Sequence, residues 1–180
     1  MSDHIVSSAA LGITEAQEKT FSSSLGVRLT VGQVVHEIAR FMKDEPNRFY
    51  KITIGTDSEL LSDKTADFVS AIVVHRVGNG GRYFWRQSTL GKFHNLRQRI
   101  IREVVISLEL ATELLEELRL MESNMHPKIA WDFEVHADVG VNGPTKEMLS
   151  EVVGMIRAYN FSAKTKPESY AASNVADRHV

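Results

Sequence analysis

Four acidic residues sit where a fold could bring them together. Asp57 closes an apolar run, Ile52-Thr-Ile-Gly-Thr-Asp-Ser. Side chains alternate along a strand, so Ile52 and Ile54 share one face, and Thr53, Gly55 and Asp57 the other. A run that starts apolar and stops on aspartate beside serine lifts a charge out of the core. Asp138 closes a second such run, 129–138. There Trp131, Phe133, Val135 and Ala137 fall on one face, and Asp132, Glu134, His136 and Asp138 on the other. Two carboxylates at neighbouring strand ends repel unless a cation lies between them, and an all-oxygen donor set suits Mg²⁺ or Mn²⁺.

Two further acids could complete such a site. Glu103 lies early in a long helical pattern, at the border of its apolar face. Glu109 and Glu113 compete with it; Glu109 lies about 600° of helical rotation from Glu103, so those two cannot both face a metal, and Glu103 is preferred because it lies nearer the helix start and follows a basic run. Asp177 lies close to the last residue, with Tyr170 and Asn174 on its side of an Ala-rich helical stretch. Between residues 82 and 102 the charges are Arg82, Arg86, Lys92, Arg97, Arg99 and Arg102, with no acid among them. A basic strip beside carboxylates is what a phosphodiester needs: cations hold the backbone and metal ions neutralise the scissile phosphate. A histidine-based metal hydrolase using His94, His136, His179 and Asp138 has no supporting spacing. His136 reads as a packing or supporting residue rather than a ligand. Tyr83, Phe84 and Trp85 read as strand packing.

The elements that must position these groups follow from periodicity and punctuation. Thr30 and Gln33 make a capping-box pattern that opens a helix with Val34, Val35, Ile38, Ala39 and Met42 on one face; Pro46 stops it. Three strands, 48–58, 67–77 and 82–90, are joined by short turns into an antiparallel meander. A helix over 95–121 follows, then the strand 129–138. Gly143-Pro144-Thr145 opens a helix running to 159; a short strand, 161–166, and a helix, 168–179, end the chain. A short helix over 14–19 is also expected. The long helix makes the fourth strand parallel to a meander strand through a right-handed crossover. If its partner is the first strand, their carboxyl ends form a crevice holding Asp57 and Asp138. The expected architecture is thus α/β, a five-stranded mixed sheet flanked by helices: an antiparallel meander plus two parallel strands.

Composition sets the outer limits. At 180 residues one domain is expected, over 27–180, with 1–26 a loosely ordered segment rich in Ser and Ala. A net charge of −2 creates no global field that announces a nucleic acid or a membrane. The absence of cysteine excludes disulfides, thiol nucleophiles and cysteine-ligated zinc. No apolar run is long enough to span a membrane, and the first residues lack a basic start and an apolar stretch. The expectation is a cytoplasmic protein without a membrane partner.

Three stretches carry a resemblance. They are Tyr50-Lys-Ile-Thr-Ile-Gly-Thr-Asp-Ser, Val135-His-Ala-Asp-Val-Gly-Val-Asn-Gly-Pro-Thr-Lys and Lys164-Thr-Lys-Pro-Glu-Ser-Tyr-Ala-Ala-Ser-Asn-Val-Ala-Asp-Arg. From about Leu29 onward the chain resembles the YkuK family (domain of unknown function 458), classed as ribonuclease H-like. Asp57, Glu103, Asp138 and Asp177 look like the ribonuclease H carboxylate tetrad. The resemblance implies Mg²⁺- or Mn²⁺-dependent hydrolysis of RNA, an RNA–DNA hybrid or DNA. Asp57 would bridge two ions, Glu103 and Asp138 would hold one, and Asp177 the other. Thr56 and Ser58 would help orient Asp57. His179 would relay protons or assist product release. Arg97, Arg99, Arg102, Lys166 and Arg178 are the candidate contacts to nucleic acid. A nucleic-acid-binding module of the same fold without turnover is the alternative.

Overall fold

The computed structural model describes residues 20–24 and 26–179. The helix expected over 14–19 lies outside them. The elements run in the order β1 (Phe21–Ser23), β2 (Arg28–Leu29), α1 (Val31–Asp44), β3 (Tyr50–Leu60), β4 (Ala66–Arg76), β5 (Gly81–Leu90), α2 (Leu96–Ser123), β6 (Trp131–His136), α3 (Leu149–Ala158) and β7 (Ser162–Lys164). A 3-10 turn, Lys146–Met148, precedes α3; a π-helical turn, Ala171–Ala176, and a 3-10 turn, Asp177–His179, close the chain.

One sheet holds seven strands, in the order β2-β1-β5-β4-β3-β6-β7. This corrects the five-stranded expectation, although the mixed sheet and the flanking helices hold. The two extra strands come from 21–29, partly inside the segment expected to be loosely ordered. Ser22 pairs with Trp85 and Ser23 with Phe84, which extends the meander by one edge. The signal was weak because β1 has three residues and β2 two, too few to show alternation. Pairing with β5 and burial of Phe21 in the main core supply the order instead.

The meander is antiparallel, with Asp57 opposite Val69 and Gly55 opposite Ala71. β6 lies parallel to β3, with Ile54 beside Val135 and Gly55 beside His136. Chain therefore leaves β3 in opposite senses on its two sides. Asp138, just past the end of β6, falls level with Asp57, which lies inside β3 because that strand runs on to Leu60 instead of stopping at Ser58. The α1 cap forms as expected: Thr30 Oγ1 accepts from the Gln33 amide at 3.3 Å, and Gln33 Oε1 accepts from the Thr30 amide at 2.9 Å. Asn95 caps α2 by accepting from the Gln98 amide at 2.9 Å.

Alternation divides the sheet into two faces. Tyr50, Ile52, Ile54, Ile72, Phe84 and Val135 are buried against the apolar stripes of α1, α2 and α3. The opposite face is covered by the C-terminal segment, which crosses β3 and β4. There Ala176 and Val175 pack on Val69, Ala71 and Trp85 in a small second core. The single helix expected over 168–179 is thus replaced by a π-helical turn and a 3-10 turn. The side chains of Ala176 and Val175 must meet a flat strand surface rather than a helix groove.

Candidate functional site

The site is built on the strand ends and roofed from two sides. Along β3, Thr56 and Ser58 turn toward α2, and Asp57 turns toward the C-terminal segment, as alternation requires. A buried hydroxyl cluster anchors the α2 side. Ser107 Oγ donates to Thr56 Oγ1 at 2.9 Å, and Thr56 Oγ1 lies 3.0 Å from Ser70 Oγ. These three hydroxyls tie α2, β3 and β4 together and set the rotation of the helix. Glu103, one turn before Ser107, therefore faces β3. The Ser58 hydroxyl donates to Glu103 Oε1 at 2.6 Å, and the Arg99 guanidinium donates to Ser58 Oγ at 3.0 Å and to its carbonyl oxygen. The Thr56 and Ser58 side chains accordingly turn away from Asp57, and Ser58 supports it through its backbone amide instead. Both side chains sit on the other face and hold α2 and Glu103.

Electrostatics connects the four carboxylates. Burial pushes Asp57 up to about 6; the charges of Asp138 and Asp177 add to this, while the Ser58 amide and Arg99 oppose it. Burial pushes Glu103 up to about 8, with Asp57 and Asp138 adding and the Ser58 hydroxyl and Arg99 opposing. Glu109 and Glu113 instead lie within reach of Arg86 on β5, whose own value burial lowers. Of the three helix glutamates left open by the sequence, Glu103 is the one that the helix packing turns toward Asp57 and Asp138. Asp138 follows β6 and is half-buried. Lys166 Nζ lies 2.9 Å from its Oδ2, while its Oδ1 is buried without a hydrogen-bond partner.

The other candidates separate into near and far. Arg99 belongs to the carboxylate group. Arg97 pairs with Glu151 of α3 at 2.6 Å, and Arg102 lines an open groove of about 600 Å³ with Phe93, Ile101 and Glu151. Arg178 is exposed beside Asp177. His179 is not brought to the carboxylates. Its ring stacks on Trp85 of β5, with centroids 4.1 Å apart and planes at 9°, two strands away from β3. His136 lies under the C-terminal segment: its Nδ1 accepts from the Ala171 amide at 3.2 Å, and its Nε2 lies 3.4 Å from Glu134 Oε2. That contact assigns the Nε2 proton, and His136 serves as an anchor for the terminal segment. Sequence reasoning did not single out Ser107 or Ser70. The one available signal was that Ser107 lies four residues after Glu103, on the same helix face.

The donor chemistry fits a hard divalent cation. All donors are carboxylate oxygens, two of the acids hold raised values because of burial and neighbouring carboxylates, and one buried oxygen lacks a partner. Among the described residues, however, no three acidic or histidine side chains are grouped closely enough to hold an ion. As the side chains stand, Ser58 engages Glu103 through Oε1 and Lys166 engages Asp138 through Oδ2.

A mixed sheet in which an antiparallel meander is extended by parallel strands, with acids at the adjoining strand ends, defines a ribonuclease H-like protein. The ribonuclease H-like family model matches residues 33–180, and the chain belongs to that family. Within it, the chain is 31% identical over 157 residues to a Bacillus subtilis (strain 168) protein described as "Uncharacterized protein YkuK", covering 84% of this chain and 91% of that one. The chain is thus a YkuK-family member of the ribonuclease H-like class. No solved structure gives a significant match. Among the described residues, no helix is long and apolar enough to cross a membrane.

Proposed function

We propose that this protein is a divalent-metal-dependent nuclease that hydrolyses phosphodiester bonds of RNA, an RNA–DNA hybrid or DNA. The observation that carries this reading is the convergence of separate elements on one crevice: Asp138 falls level with Asp57 of β3 and lines one pocket with the buried Glu103 of α2, and the charges of Asp138 and Asp177 act on Asp57. Like charges held in one crevice destabilise the fold unless something positive offsets them, so such a cluster points to function. Asp57, Glu103, Asp138 and Asp177 would hold Mg²⁺ or Mn²⁺. When bound, such ions activate a water and stabilise the departing oxygen of a phosphodiester. Arg99, fixed by Ser58 beside Asp57, would hold a non-bridging phosphate oxygen. Lys166 and Arg178 would contact the nucleic-acid backbone beside the crevice, and Arg97 and Arg102 would extend that contact along α2. His179 is placed to support Asp177 through its stacking on Trp85 rather than to move protons at the scissile bond.

A second reading, a nucleic-acid-binding module without turnover, draws on one observation. As the side chains stand, Ser58 and Lys166 engage the acids that would have to enclose an ion. Labelled RNA, hybrid and DNA, incubated with the protein and Mn²⁺ or Mg²⁺, separate the two. The nuclease reading expects cleavage that chelation stops and that Asp57→Asn lowers by at least about a hundredfold, the scale of losing a group that stabilises the transition state. Binding of nucleic acid without cleavage on any substrate would favour the module.

A further inference from the structure

Beyond the strands, two segments run side by side at the mouth of the crevice. The Ala137 amide donates to Lys164 O at 2.9 Å, and the Lys166 amide donates to Val139 O at 2.8 Å. This pairing fixes Asp138 and Lys166 opposite each other. Gly140 leaves room for the lysine stem: a Cβ there would lie 3.0 Å from Lys166 Cβ. The lysine ammonium reaches Asp138 Oδ2 at 2.9 Å, while its side chain remains 51% exposed. Asp138 is therefore divided. One oxygen is covered by a single, partly exposed positive charge from the solvent side, and the other is buried with no hydrogen-bond partner. Asp138 also adds its charge to those that burden Asp57 and Glu103.

We propose that Lys166 is a tethered competitor for the divalent cation: its ammonium holds Asp138 through Oδ2, offsets that carboxylate's charge, and is exchanged for the ion when the full carboxylate is engaged. This rests on the metal-dependent reading above. The exchange costs little conformationally, because the lysine head is already half in solvent and its backbone stays pinned to Val139. Lys166 is thus a positioning residue that acts through Asp138, and metal loading frees its ammonium for another anion at the crevice mouth.

The test is Mn²⁺ binding, followed by the electron-spin-resonance signal of the free ion. Lys166→Met is expected to bind Mn²⁺ about tenfold more tightly than wild type, the scale of the repulsion between an ammonium and a divalent ion one side-chain width apart in water-like surroundings. Lys166→Arg should stay near wild type. A purely structural lysine predicts the opposite sign, since its loss would loosen the site. As a second readout, acylation of Lys166 in the wild-type protein, read by mass spectrometry, should rise several-fold when Mn²⁺ is added. In Asp138→Asn it should be high with or without the ion. If wild type binds Mn²⁺ but Lys166→Met binds no more tightly, the exchange is wrong and the nuclease reading stands. If neither binds Mn²⁺ at millimolar concentration, the metal-dependent reading falls and the exchange with it. Should Lys166→Met not fold, the wild-type acylation result decides alone.

Discussion

Glu103→Gln should stabilise the protein at neutral pH while removing a carboxylate from the site. Glu103 is 4% exposed, and burial raises its acid to about 8 from 4.5. The folded state therefore prefers the neutral acid, whereas the unfolded state ionises near 4.5. The stability associated with the neutral group is fully present below about pH 4.5 and is lost as pH rises through about 8. At about pH 7 the gap between 4.5 and the working pH spans about 2.5 units, which at 1.36 kcal/mol per unit is on the order of 3 kcal/mol. Glutamine carries no charge and its Oε1 can still accept the Ser58 hydroxyl, so the variant should escape that cost. Urea denaturation of both proteins at about pH 4.5, 6, 7 and 8 gives the answer directly. The two should be similar at the lowest pH and diverge progressively above it, the variant being the more stable. In a protein of this size the gap corresponds to about 6–12 °C in midpoint temperature near pH 7. Asp57, raised to about 6, adds its own pH dependence, which both proteins share apart from the part by which its charge raises Glu103. Parallel pH profiles, with no widening gap, would refute the argument that burial governs Glu103. Under the metal-dependent reading, Mn²⁺ should stabilise wild type more than the variant.

The other predictions probe the supports. Trp85→Ala should loosen the C-terminal segment, because Trp85 carries both the His179 stack and part of the small core under Val175 and Ala176. Amide exchange across 170–179 should accelerate about tenfold or more, while Trp85→Phe, which keeps an aromatic face, should stay close to wild type. Ser107→Val should destabilise by roughly 1–3 kcal/mol in urea titrations, since it removes the donor to the buried Thr56 hydroxyl and leaves that group with Ser70 alone. Arg76→Met should destabilise by roughly 3 kcal/mol or more, because the guanidinium donates to Tyr50 Oη at 3.1 Å, Phe41 O at 3.0 Å and Glu45 Oε1 at 2.6 Å. An unchanged denaturation midpoint in either variant would show that the network tolerates the loss.

Much of the layout was legible locally. The capping box at Thr30, the meander, the long α2 pattern and the parallel placement of the fourth strand follow from periods of 2 and 3.6 and from turn residues. The edge hairpin at 21–29 was not legible, because strands of three and two residues show no period and owe their order to β5 and to Phe21 in the core. Alternation already put the Thr56 and Ser58 hydroxyls opposite the Asp57 side chain, and the Ser58 amide is the part that meets its carboxylate. His179 could not be placed from spacing, since its partner, Trp85, is far away in sequence and meets it only across the sheet.

The sequence by itself picked out the acids that chemistry would need and put Asp57 and Asp138 on neighbouring strands at one level. Alternation and strand length fix the face and level of Asp57 and Asp138 without reference to anything distant. Only the tertiary structure decided how those groups are held. The rotation of α2 about its axis, set by the Ser107, Thr56 and Ser70 hydroxyls, chose Glu103 over Glu109 and Glu113. The pairing of two segments past the sheet edge put Lys166 on Asp138. These outcomes depend on packing between elements remote in the chain, and no local pattern encodes the angle at which one such element meets another.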